Sequence, residues 1–123
     1  MGATQWPASW LKGVLDLALL ALISRGPTYG YELSQALADS GLGEIKGGTL
    51  YPALSRLETA GLVSTEWRAG DSGPGRKYYE LTTPGRAELA ERSQGWGGFA
   101  GAIAGVLSGA RTAPEHSESR ETS

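Results

Sequence analysis

Gly48-Thr49-Leu50-Tyr51-Pro52-Ala53-Leu54-Ser55-Arg56-Leu57-Glu58-Thr59-Ala60-Gly61-Leu62-Val63 reads as a short helix running directly into a β-strand. At helical spacing, Leu50, Ala53, Leu54, Leu57 and Ala60 share one side, while Gly48, Tyr51, Pro52, Ser55, Arg56 and Thr59 share the other. One face is therefore core, and the opposite face is polar, aromatic and basic. With Gly48 as N-cap, Pro52 falls in the first turn, where backbone N–H groups have no intrahelical acceptor. Gly61 stops the helix, because glycine readily takes the left-handed conformation that follows a last turn. An exposed face of small hydroxyls, a tyrosine and an arginine suits a groove lined with phosphates and base edges. The plainer alternative is a solvated face on an ordinary core helix.

Composition narrows the surroundings of this helix. At 123 residues the chain is one domain with an appended element, and its core is modest enough to favour a second subunit. The absence of cysteine excludes disulfides, thiolate nucleophiles and cysteine-based zinc sites, and fits a reducing cytoplasm. A formal net charge of −2 gives no general basic field, so positive charge offered to a nucleic acid must be local.

On the N-terminal side, residues 1–9 read as a mobile arm, with Ser9 capping a helix that starts at Trp10. From Val14 to Ile23 only Asp16 interrupts an apolar run, which reads as a helix buried on most sides. The run is too short to span a bilayer and no cleavage site follows it, so it is neither a membrane span nor a signal peptide. Arg25-Gly26-Pro27-Thr28 breaks the chain, and Thr28 caps a second helix carrying Tyr29, Tyr31, Glu32, Leu33 and Leu37. Glycines 41, 43 and 47 have the wrong spacing for a nucleotide loop and read as turn residues. Two short helices joined this way, the second with a polar outward face, make a helix-turn-helix.

On the C-terminal side, Val63, Thr65 and Trp67 alternate with Ser64, Glu66 and Arg68, the period of a strand with one buried face. A second strand over Arg76-Lys77-Tyr78-Tyr79-Glu80-Leu81 closes a β-hairpin, with two cations at the base of its loop. The loop's Gly70-Asp71-Ser72-Gly73-Pro74 resembles a serine-protease nucleophile segment, but the sole histidine, His116, lies in a polar tail and assembles no triad. Thr83 and Pro84 open a last helix as N-cap and first residue. Along it Leu89, Trp96 and Ile103 repeat at heptad spacing, and Phe99 and Val106 fill the intermediate position, as in a short coiled-coil seam. Gly97, Gly101, Gly105 and Gly109 form a second stripe, each costing about 1 kcal/mol against alanine in a helix interior. Close helix approach or room for a ligand is the expected compensation. Ser93 to Ala110 carries no charge, yet it is barely bilayer length and rich in glycine, so no membrane partner is expected. The residues from Arg111 onward have no apolar periodicity and read as a disordered tail.

Taken together, Leu17 to Ile23, Pro27-Thr28-Tyr29-Gly30-Tyr31-Glu32-Leu33, Gly48 to Glu58 and Gly75-Arg76-Lys77-Tyr78-Tyr79-Glu80-Leu81-Thr82 resemble the PadR family of transcriptional regulators, over about residues 10–107. The resemblance implies a mainly α protein with a β-hairpin: a winged helix-turn-helix over residues 10–82, one long dimerisation helix over 83–109 and a polar tail over 110–123. It implies a homodimeric repressor of nearby promoters, with the last helix packed on the first helix of the partner. Among short family members, Trp96 matches a tryptophan that lines a pore at the dimer interface and stacks against flat aromatic compounds. The glycine content from Gly95 to Gly109 departs from those members.

The expected DNA contacts are Thr49, Tyr51, Ser55 and Arg56 from the helix at 48–60, Arg76 and Lys77 from the wing at 68–77, and Tyr29 and Lys46 on the backbone. The expected dimer interface is Leu89, Trp96, Phe99, Ile103 and Val106, with Trp96 also facing a planar aromatic or hydrophobic effector. The partners are thus double-stranded operator DNA, a second copy of the chain and such an effector. A winged-helix module that binds protein instead of DNA is the competing reading, which net acidity favours and the local cluster Lys46, Arg56, Arg76 and Lys77 disfavours. No metal-ligand cluster or catalytic constellation supports an enzyme, and no cofactor is expected.

Overall fold

The computed structural model describes residues 6–70 and 73–111, with side chains as far as Gly109. The first five residues of the expected arm, the loop residues 71–72 and the tail from 112, His116 included, lie outside the described residues. In order, the elements are α1 (Ala8–Ile23), β1 (Thr28–Tyr29), α2 (Gly30–Asp39), α3 (Gly47–Thr59), β2 (Val63–Arg68), β3 (Arg76–Leu81) and α4 (Thr83–Arg111). They form the mainly α winged helix-turn-helix with a long C-terminal helix that the family resemblance implies. Two compact units divide the chain at Ala90.

In the first unit, every residue from Val14 to Ile23 is buried or half-buried. Leu15, Leu19, Leu20 and Ile23 of α1 meet Leu33 and Leu37 of α2, Leu50, Ala53, Leu54 and Leu57 of α3, and Val63, Tyr79 and Leu81 of the sheet in one core. Ala60, placed with the core side by helical spacing, is instead the exposed C-cap of α3. Beyond it the Gly61 N–H donates to the Glu58 carbonyl (2.9 Å) and the Leu62 N–H to the Leu57 carbonyl (3.0 Å), with Gly61 at φ 76°. This double bond pattern around a left-handed glycine ends α3 and turns Leu62 and Val63 back into the core. Gly41, at φ 95°, ends α2 in the same way.

The helix starts differ from those read in the sequence. α1 begins at Ala8 behind Pro7, ahead of Ser9, and the Trp6 indole donates to the Gly41 carbonyl (2.8 Å) while stacking on Trp10, so this part of the expected arm is tied down. Thr28 does not cap α2. Thr28 and Tyr29 instead form β1, paired with Tyr79 and Tyr78, because the unpaired edge of β3 takes up the only extended residues between α1 and α2. Tyr29 is the N-cap of α2, and the Thr28 hydroxyl reaches Glu32 (2.9 Å). α3 is capped by Lys46 rather than Gly48, so Pro52 lies beyond the first turn and leaves the Gly48 carbonyl without its helical donor; Gly48 is exposed, and water can take that place. Thr82 rather than Thr83 caps α4, its hydroxyl accepting from the Gly85 N–H (3.0 Å) and donating to the Gly61 carbonyl (2.7 Å).

β2 and β3 pair antiparallel from Val63 opposite Leu81 to Arg68 opposite Arg76, giving a sheet of order β1-β3-β2. The expected buried face of β2 extends only through Val63 and the half-buried Thr65. Trp67 is 69% exposed, because the hairpin has run beyond the helices by that point.

In the second unit, α4 runs through the glycine stretch without interruption to Arg111. Trp96 and Phe99 touch with ring centroids 5.8 Å apart, while Trp96, Phe99, Ile103, Val106 and Leu107 are all exposed. A Cβ added at Gly97, Gly101 or Gly105 would meet nothing within 4 Å among the described residues. Leu89 lies in the first unit, half-buried against the core.

Candidate nucleic-acid interface

α3 is held by Leu50, Ala53, Leu54 and Leu57 beneath it, which leaves Thr49, Tyr51, Ser55 and Arg56 exposed above. A groove runs along each flank of this exposed face. The groove toward the wing, about 580 Å³, is lined by Tyr29, Tyr51, Ser55, Trp67, Arg76 and Lys77 among others. The groove toward α1, about 710 Å³, is lined by Lys12, Asp16, Glu44, Lys46, Thr49 and Arg56 together with Pro52, Gly48 and apolar residues. All eight expected DNA contacts therefore lie along these two flanks.

Each side chain has a particular setting. The Tyr51 phenol lies on Gly30 at the start of α2, where a Cβ would collide with it, so the glycine is what lets the ring sit there. Arg56 donates from Nη2 to Asp16 Oδ1 of α1 at 2.8 Å. Lys77 faces inward and bonds Glu58 Oε1 (3.2 Å), whose other oxygen accepts from the Thr65 hydroxyl (3.0 Å). That hydroxyl bond, then Lys77, holds the Glu58 carboxyl below its ordinary pKa despite some burial. Burial pushes the neighbouring Tyr79 phenol upward, opposed by the charge of Lys77.

On the outer face of the sheet, the Arg76 guanidinium lies 4.4 Å from the Tyr29 ring centroid and the Arg68 guanidinium 4.3 Å from that of Tyr78. The two rings meet edge to face at 5.2 Å. Arg68, Tyr78, Tyr29 and Arg76 thus form one stack across three strands. Like charges directly opposite on paired strands repel, and the aromatic faces offset that repulsion while fixing both guanidinium planes. Tyr29 accordingly serves as a platform for Arg76. Sequence reading singles out neither Arg68 nor Tyr78, nor does it find Asp16 beside Arg56. The hairpin register, counted outward from the loop, is the one signal that places Arg68 opposite Arg76.

Among the described residues no group of three or more His, Asp or Glu side chains could hold a metal, and no helix is long and apolar enough to cross a membrane.

A three-helix core with a hairpin wing and an exposed, polar third helix defines a winged helix-turn-helix protein. A profile of the "Transcriptional regulator PadR-like family" matches residues 19–91. The chain is 38% identical over 80 residues to the transcriptional regulator Rv3488 of Mycobacterium tuberculosis, covering 65% of this chain and 73% of that one. Among solved structures, a PadR-like transcriptional regulator from Bacillus cereus superposes with a TM-score of 0.72 at 37% identity, covering 80% of this chain and 96% of that one. A PadR family transcriptional regulator from Eggerthella lenta does so with a TM-score of 0.72 at 37% identity, covering 81% and 87%. The chain belongs to the PadR-like family of transcriptional regulators.

Proposed function

We propose that the chain is a homodimeric, DNA-binding repressor that sets α3 into the major groove of a pseudo-palindromic operator and lays its wing on the adjoining backbone. The observation that carries this reading is the exposed face of α3, with Thr49, Tyr51, Ser55 and Arg56 flanked by Lys46 on one side and the stacked Arg76 on the other. Ammonium, hydroxyl and guanidinium donors in that order suit phosphates at the edges and base edges between them. Arg68, held beside Arg76 by the same stack and with its Nε 3.7 Å from Glu66 Oε2, adds a further wing cation. Lys77 reaches a phosphate only by leaving Glu58. Phe99, Ile103, Val106 and Leu107 form an apolar strip too large to leave in water, which favours pairing with a second copy. Trp96, 43% exposed and bordered by Gly95, Gly97 and Gly98, offers an indole face on which a planar effector can stack at that junction. Such an effector would release DNA only as far as it binds the two states of the dimer unequally. The setting is the cytoplasm, and no catalytic role is assigned.

The test is binding to DNA upstream of the chain's own gene and to a random duplex, across a salt series. We expect steep loss of affinity with salt, and Arg76→Ala should make the slope shallower by about two, one phosphate from each protomer at about 0.9 each. Absent or salt-insensitive binding would instead favour a winged-helix module that recognises protein.

A further inference from the structure

Asp16 is the sole charged residue in the apolar run from Val14 to Ile23, and nothing in core packing calls for a carboxylate there. It sits where α1 crosses α3, with its side chain 27% exposed, and its oxygen meets Arg56 Nη2 at 2.8 Å. Arg56 lies on the exposed face of α3, 58% exposed, and α3 is otherwise held to α1 by apolar contacts. The guanidinium of the proposed reading face is thus drawn sideways onto α1.

Resting on the DNA-binding reading above, we propose that Asp16 is a positioning and specificity-determining residue: it restrains Arg56 so that a correctly placed base edge, not an arbitrary backbone phosphate, draws the guanidinium away. Two effects act together. Arg56 must give up a charge-assisted hydrogen bond before it meets DNA, and the carboxylate left behind repels phosphate along that flank. On random DNA the exchange returns one screened phosphate contact and gains little. At the operator, a fork of guanidinium N–H groups on a base edge replaces the lost bond with a better one. The restraint therefore weakens non-specific binding more than specific binding, the form that discrimination takes when it works against wrong partners.

The experiment compares the full-length wild-type chain, Asp16→Ala, Asp16→Glu and Arg56→Ala, each titrated on the duplex upstream of its own gene and on a random duplex at several salt concentrations. Thermal melts run in parallel. Asp16→Ala should tighten binding to the random duplex by about two- to five-fold for each protomer, the strength of an exposed ion pair. Its salt slope there should steepen by about two as a freed Arg56 from each protomer reaches a phosphate. The operator-to-random ratio should fall, and Asp16→Glu, which keeps the charge, should restore most of it. In an Arg56→Ala background, Asp16→Ala should leave the salt slope unchanged. If Asp16→Ala shifts only the melting temperature, with the affinity ratio and slope of the wild type, the pair is a structural staple and this proposal falls alone. Wild-type chain that shows no salt-dependent DNA binding brings down the functional reading and this proposal with it.

Discussion

Leu54 and Phe99 are both apolar residues on well-formed helices, yet Leu54 is fully buried while Phe99 is 59% exposed. The contrast holds for their whole regions. Up to Ala90 the large aliphatic side chains of three helices and a hairpin enclose one another, whereas none of residues 91–109 is buried. The first unit satisfies its own hydrophobic surface and leaves a polar face for recognition. The second has the composition of an interface, with nothing among the described residues to cover it. In a protein this small, the two kinds of hydrophobic residue carry different information: one specifies the fold of the first unit, the other is the surface on which the proposed pairing rests.

The largest expected effect lies in the first unit. Leu54→Ala, at a site with no exposed surface, should lower unfolding free energy by about 2–5 kcal/mol, measured by denaturant melts. Phe99→Ala at concentrations where the chain is monomeric should change it by less than about 0.5 kcal/mol. Comparable losses for both would mean that the exposed strip is part of the monomer's core, and the contrast would collapse.

Next in size is the association of two copies. Ile103→Asp places a charge in the middle of the strip, and an unpaired polar group buried at an interface costs about 1–3 kcal/mol. Self-association measured by sedimentation should weaken by roughly tenfold or more while the melt of the winged-helix unit stays put. A variant that associates as tightly as the wild type would show that the dimer is built elsewhere.

The glycine stripe sharpens the comparison at smaller cost. Gly101 and Gly105 have open space around them among the described residues. Replacing either with alanine should therefore stabilise the isolated helix by about 0.5–1 kcal/mol. If the stripe is where two copies approach closely, the same change should weaken the dimer, so helix content at low concentration and dimer affinity should move in opposite directions. A rise in both would make the glycines a simple cost and remove close approach as their reason.

These contrasts also show which parts of the molecule are legible in the sequence. The core face of α3, both hairpin strands to the residue and the glycine that ends α3 follow from periodicity and turn chemistry, since each depends on neighbours a few positions away. The family motifs read in the same stretches lead to the fold and family found. Helix starts were less accessible: Pro7, Tyr29 and Lys46 cap their helices without a side-chain hydrogen bond, so no capping signature marks them. β1 escaped because a two-residue strand has no period and exists only through pairing with β3. At the candidate interface, residue type was enough to place the polar face of α3. Partners were not, because Asp16 lies 40 positions from Arg56 and Glu58 lies 19 from Lys77.

The smallest expected effect concerns that last pair. Glu58 joins α3 to the hairpin through Thr65 and Lys77, inside the first unit alone. Its folded-state pKa is lowered, by the Thr65 hydroxyl first and Lys77 second, so its contribution is fully present above the unfolded value of about 4.3 and is lost as pH falls through the folded value. Side chains this exposed are screened by solvent, which keeps the contribution within about 0.2–1 kcal/mol. Glu58→Gln should therefore lower the melting temperature slightly at pH 7 and match the wild type at pH 3, flattening the acid limb of the stability curve. Lys77→Met, which removes the second cause and leaves the first, should flatten it less. Because the unit beyond Ala90 has no share in this network, hydrogen exchange of β2 and β3 amides should quicken in Glu58→Gln while that of residues 91–109 stays as it was. Equal quickening in both regions would mean that the hairpin tie and the C-terminal helix open together, and the two regions would then be one cooperative unit after all.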